Sequence, residues 1–162
     1  MNETPTIFLA GTIDDGHSTD WQGELIEASE AYDVEFYNPR RYDFPEHPLK
    51  EDVVKQIRWE QEHLDAADYI LMVIMPNSKS PITLLEMGLY AHQPNKLFVF
   101  CAENFYRRTN VEETCRKYNL YLDADTSIEH LRDIVADIAA FHKQKLIDLA
   151  KEKKNDVSNI QH

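Results

Sequence analysis

Five short apolar runs punctuate the chain, separated by stretches whose apolar residues recur at helical spacing. Thr6–Ala10, Val34–Tyr37, Tyr69–Met75, Lys96–Cys101 and Leu120–Leu122 read as strands. The Tyr69–Met75 run is too short to span a membrane and too evenly apolar for a half-exposed strand, so it is expected to be covered on both faces. Between the runs, Trp21, Leu25, Ala28 and Tyr32 form one helical stripe, and Val53, Ile57, Leu64 and Ala67 a second, within a helix over 52–67. A third helix opens at Ser80-Pro81, with Ser80 placed to cap its free amides and Pro81 at the first helical position. Placed on a helical wheel, that helix has little solvent face. A fourth helix spans about Val111 to Tyr118. In the last, Ile128, Leu131, Val135 and Ile138 mark the inward stripe; it runs to about Lys151 before a frayed tail.

Strand and helix alternate through the chain, with most connections too long for hairpins. That pattern calls for a parallel sheet with helices on both faces, and the flavodoxin-like order 2-1-3-4-5 is the expected topology. Without internal repeats, residues 1–150 read as one domain and 151–162 as a C-terminal tail.

Two acids stand out against this pattern. Glu86 is the only acid in the helix after the central strand, near the edge where open α/β sheets place ligands. It is either an edge acid that reaches water or a group with chemistry to do. Glu60 shares the arc of Val53, Ile57, Leu64 and Ala67, where a leucine is expected, whereas Trp59 and Glu62 face away. An inward carboxylate either bonds backbone at a helix end or faces a cleft, and the cost of unpaired burial favours the cleft. Loops at the same edge add polar groups: Gly11, Thr12, Asp14, Asp15 and His17 after the first strand, and Asn38, Arg40 and Arg41 after the second. With Ser78 to Glu86 and Arg107 to Asn110, these are expected to form one pocket. Gly11 reads as a point where the backbone lets a ligand approach closely. The chain has neither a G-x-G-x-x-G nor a Walker lysine.

Composition narrows the partners. A net charge of −12, from 29 acidic and 17 basic side chains, leaves no basic stripe for DNA or RNA and points to a small substrate. Cys101 and Cys115 read as reduced thiols. With no leader-like or membrane-spanning run, the expectation is a soluble, cytoplasmic protein.

Two carboxylates on adjacent helices, without metal-ligand spacing, suit substitution at a sugar carbon: one attacks the anomeric centre, the other tunes its protonation or assists departure. A sensor binding a sugar hydroxyl through two acids fits the same residues. Phe8-Leu9-Ala10-Gly11-Thr12-Ile13, Trp59-Glu60 with Leu64 and Ala67-Asp68, and Leu85-Glu86-Met87-Gly88 resemble the nucleoside 2-deoxyribosyltransferase family and its relatives that hydrolyse deoxynucleoside monophosphates. The resemblance covers most of the chain to about Leu122. It implies Glu86 as nucleophile and Glu60 as partner acid, where the family usually has Asp. Ser80 matches a sugar or phosphate contact, and Asn110 a residue that reaches the neighbouring subunit's site, so a homodimer or larger assembly is implied. Phe8 stands where relatives often carry tyrosine, leaving Tyr37 or Tyr90 to steer Glu86. Asp14 stands where the monophosphate hydrolases place arginine, which favours nucleosides over nucleotides.

The expected activity is transfer of 2-deoxyribose between nucleobases, with no metal or organic cofactor. Glu86 attacks C1′ and the base leaves with a proton from Asp14 or ordered water. Hydrolysis on the same site and a non-catalytic nucleotide-binding module are the alternatives.

Overall fold

The computed structural model describes residues 2–14 and 18–160, with side chains as far as Glu152. The elements are β1 (Thr6–Gly11), α1 (Trp21–Ala28), β2 (Glu35–Tyr37), α2 (Lys50–Ala66), β3 (Tyr69–Ile74), α3 (Pro81–Tyr90), β4 (Leu97–Cys101), α4 (Arg108–Tyr118), β5 (Tyr121–Asp123) and α5 (Ile128–Ile160). The five strands form one sheet in the order β2-β1-β3-β4-β5, and every pairing is parallel. This is the expected flavodoxin-like arrangement. β3 is buried at every residue, as its unbroken apolar run requires.

Alternate residues of each strand feed two cores. Phe8, Ala10, Ile70, Met72, Leu97 and Val99 pack with Leu64 of α2, Met87 and Tyr90 of α3 and Val111 and Cys115 of α4. On the other face Ile7, Leu9, Leu71 and Val73 pack with Trp21 and Leu25 of α1 and Leu131, Val135 and Ile138 of α5. Trp21 is core, and its Nε1 donates to the Thr12 carbonyl at 2.9 Å.

Five readings of the helices are corrected by the structure. α1 ends at Ala28 rather than Tyr32, because the chain tightens into successive i to i−3 turns at Ser29, Glu30 and Tyr32. α5 continues to Ile160, past the apolar stripe that set its expected end. In α2 only the C-terminal part of the stripe, Leu64 and Ala67, reaches the core; Val53 and Ile57 remain 37% and 45% exposed. Trp59 does not face away: it packs against the core and stacks on His63 with ring centroids 4.0 Å apart. α3 also has a solvent face. Ile82, Leu85 and Leu89 are more than half exposed, while Thr83, Met87 and Tyr90 turn to the sheet.

Gly11 has a structural reason of its own. It sits at φ +141°, and a Cβ there would lie 2.0 Å from the Val73 carbonyl oxygen of β3. Its missing side chain therefore lets β1 approach β3. Gly11→Ala is expected to cost about 3 kcal/mol or more, seen as a fall of roughly 10 °C in melting temperature.

Candidate active site

The order β2-β1-β3 places a switch point between β1 and β3, where the chain leaves the sheet toward opposite sides. The β1 exit is Gly11 to Asp14, and the β3 exit is Met75 to Ser80. Three buried hydroxyls lock the two exits together. Thr12 Oγ1 donates to Ser78 Oγ at 3.1 Å and lies 2.7 Å from Ser80 Oγ; it also accepts from the Met75 amide at 3.0 Å. Ser78 Oγ donates to the Met75 carbonyl at 2.8 Å.

Ser80 therefore does not cap α3 with its side chain. It adopts the left-handed conformation, φ 47° and ψ 47°, and its hydroxyl turns inward to Thr12 and Ser78. Asp14 takes the place at the helix end: its Oδ1 accepts from the Ser80 amide, 3.5 Å away. A carboxylate there complements the positive end of the α3 dipole. Pro81 occupies the first turn as expected.

Helical geometry fixes where Glu86 goes. With Thr83, Met87 and Tyr90 toward the sheet and Leu85 and Leu89 toward water, Glu86 falls on the flank facing α2. Glu60 meets it from α2. Burial, and then the Glu60 charge, push the Glu86 carboxyl up to about 8. Burial also raises Glu60, opposed by a hydrogen bond from Gln56 Nε2 to its Oε1 at 2.9 Å. Both acids are half-buried. Two carboxyls that share a flank and resist joint ionisation retain a proton that an exposed pair would have lost.

The remaining sequence-predicted residues divide. Asn38 Oδ1 accepts from the Arg40 amide at 2.9 Å, closing the turn after β2. The Arg40 guanidinium donates to the Ser18 carbonyl at 2.8 Å and the Thr19 carbonyl at 3.1 Å, with Asp20 3.7 Å away. It ties the loop after β2 to the segment before α1. Tyr42 adds a second tie, its hydroxyl donating to Asp20 Oδ2 at 2.8 Å. Asp15 and His17 lie outside the described residues.

Asn110 is not brought to Glu86. It is exposed in the first turn of α4 and lines a groove of about 330 Å³ with Leu84, Met87, Gly88, Tyr106 and Arg107. Leu84 and Gly88 lie on the flank of α3 turned away from Glu86. The single expected pocket is thus split by α3. Tyr37 and Tyr90 are also otherwise engaged: Tyr37 meets the His63 ring edge-on at 4.7 Å, and the Tyr90 hydroxyl donates to Asp65.

Residues 4–105 match the family model described as nucleoside 2-deoxyribosyltransferase-like. The chain belongs to that family. The matched segment carries β1 through β4, both acids and the hydroxyl cluster, while Asn110 lies beyond it. No curated protein matches the chain. Membership of the nucleoside 2-deoxyribosyltransferase-like family implies an enzyme that modifies nucleosides, and hence a small nucleoside or nucleobase ligand. Among the described residues no helix is long and apolar enough to cross a membrane.

Sequence reasoning missed Gln56, and it named Ser78 only as the start of a segment expected at the pocket. Gln56 had a legible signal, since it stands one turn before Glu60 and residues four apart on a helix meet. The bond of the Ser78 hydroxyl to Thr12 had none, because it depends on β1 and β3 lying side by side.

Proposed function

We propose that the protein moves 2-deoxyribose between nucleobases through a glycosyl ester on Glu86. The observation that carries this reading is the half-buried Glu86 beside Glu60 at the β1/β3 switch point, within a family named for that transfer. As a carboxylate, Glu86 attacks C1′ while the bond to the base breaks; the base departs with a proton from an ordered water. The incoming base then displaces the carboxylate, giving net retention over two inversions. Glu60 stabilises neighbouring charge changes and accepts the proton that Glu86 must lose before it attacks.

Asp14 supports nucleosides rather than nucleotides. Its carboxylate occupies the α3 N-terminus, the place that would otherwise attract a phosphate, and like charges repel there. The test is incubation with deoxyadenosine and excess cytosine, followed by chromatography. New deoxycytidine is the expected product. Free adenine without new nucleoside would assign hydrolysis, and binding without any product would assign the non-catalytic module.

An exposed apolar face supports a homodimer or larger assembly. Val53, Ile57, Ile82, Leu85 and Leu89 are exposed beside the carboxylate pair, where a second copy of the chain would cover them. Asn110, separated from Glu86 within one chain, then acts on a neighbouring site. Leu85→Asp is expected to convert a dimer or larger assembly to monomer in sedimentation while leaving the fold intact. A wild-type monomer would contradict the assembly.

A further inference from the structure

Gln56 is held in one orientation by an unambiguous partner. Its Nε2 donates to the Pro39 carbonyl at 3.0 Å, and a carbonyl can only accept, so the nitrogen must face that side. The same nitrogen donates to Glu60 Oε1 at 2.9 Å. Its own Oε1 is turned to Arg41 Nη1, 3.5 Å away, and Arg41 in turn pairs with Asp43 at 3.0 Å. The amide cannot flip without setting its oxygen against both the Pro39 carbonyl and the Glu60 carboxylate.

We infer that Gln56 is a positioning residue for this site: anchored on Pro39, it holds Glu60 as a carboxylate, ready to accept the proton that Glu86 must give up. A donor fixed against one carboxylate oxygen favours the charged form of that acid. Among the described residues no other donor reaches Glu60, so this bond biases the negative charge of the pair toward Glu60, against the burial that raises both acids. The charged and titratable groups around the pair are few. Tyr90 stands one turn beyond Glu86 on α3, and Arg41 with Asp43 stands behind Gln56 on the loop after β2. The proton transfer balances: Glu86 loses a proton to Glu60, becomes the nucleophile, and the pair keeps one negative charge. The same contact couples the chemistry to the loop after β2, because the Pro39 carbonyl that orients Gln56 belongs to the turn closed by Asn38 and Arg40.

This inference rests on the transferase reading for its purpose but not for its test. Glutamate labelled with ¹³C at the side-chain carboxyl, assigned with Glu60→Gln and Glu86→Gln, lets each acid be titrated in the folded protein. In Gln56→Met, similar in volume and without a donor, Glu60 is expected to titrate about one pH unit higher and Glu86 lower than in wild type. Gln56→Asn, too short to bridge both partners, is expected to move the two acids in the same directions. With an active enzyme, the rising limb of kcat/KM moves to lower pH in both variants, following the lowered Glu86 titration. Titration curves of Glu60 and Glu86 that match wild type in both folded variants would overturn the inference. Loss of nucleoside activity in the wild type, with the titration shifts intact, would instead count against the transferase reading alone.

Discussion

Glu86→Gln is expected to abolish nucleoside turnover, by about 1,000-fold or more, while making the protein more stable at alkaline pH. The two effects share one cause. In the folded protein burial and Glu60 raise the Glu86 carboxyl from its ordinary 4.5 to about 8. The folded state therefore holds this proton more tightly than the unfolded chain does. Its contribution to stability is complete below about pH 4.5 and is lost as pH rises through about 8. Glutamine keeps the shape of the protonated acid and never ionises, so its advantage grows across that window and reaches about 5 kcal/mol above it. Thermal melts of both proteins at pH 5, 7 and 9 read the difference. Parallel melting curves at all three values would mean that Glu86 is solvated in the folded state.

The second large effect concerns Glu60. Glu86 must be ionised to attack, by passing its proton to Glu60 or by losing it to solvent, so kcat/KM is expected to rise further with pH through the upper titration of the pair. Glu60→Gln removes the second cause of the raised Glu86 pKa while leaving burial, the larger one, in place. The rising limb should then move to lower pH. At neutral pH more of the nucleophile is ionised, yet the acceptor for its proton is gone, so the maximum rate should fall by about 100-fold. A profile whose midpoint does not move would mean that the two acids act independently. The prediction thus separates Glu60 as an electrostatic partner from Glu60 as a merely buried acid.

Much of this architecture was legible before any coordinates. The runs at Ile7, Ile70 and Phe98 are apolar on both strand faces, which only a doubly covered parallel sheet requires, and the 2-1-3-4-5 order followed from the alternation. Glu60 was legible because it interrupts an apolar arc, and Glu86 because it is alone in its helix. A wheel, however, reports only angles about one axis. It could not say that Val53 and Ile57 stay exposed, or that Leu85 and Leu89 face water. Those exposures depend on what the neighbouring helix covers. The same limit bears on the single expected pocket: the distance along the chain from Asn110 to Glu86 does not reveal that α3 stands between them. Ser80 looked like a cap because serine before Pro81 usually is one. Its left-handed backbone instead sends the hydroxyl to Thr12, a contact that exists only because β1 pairs with β3. Gly11 was read as a point of close approach, and the group that approaches it within the chain is the Val73 carbonyl.

The central claim is the glycosyl ester on Glu86, and a quenched-reaction measurement tests it most directly. The protein is mixed with deoxyadenosine in the absence of an acceptor base, quenched in acid within the first turnover and digested for peptide mass analysis. The account predicts one added deoxyribosyl group on the peptide containing Glu86, absent after excess cytosine and absent from Glu86→Gln. Release of adenine with no adduct on Glu86, or an adduct on Glu60 instead, would contradict it.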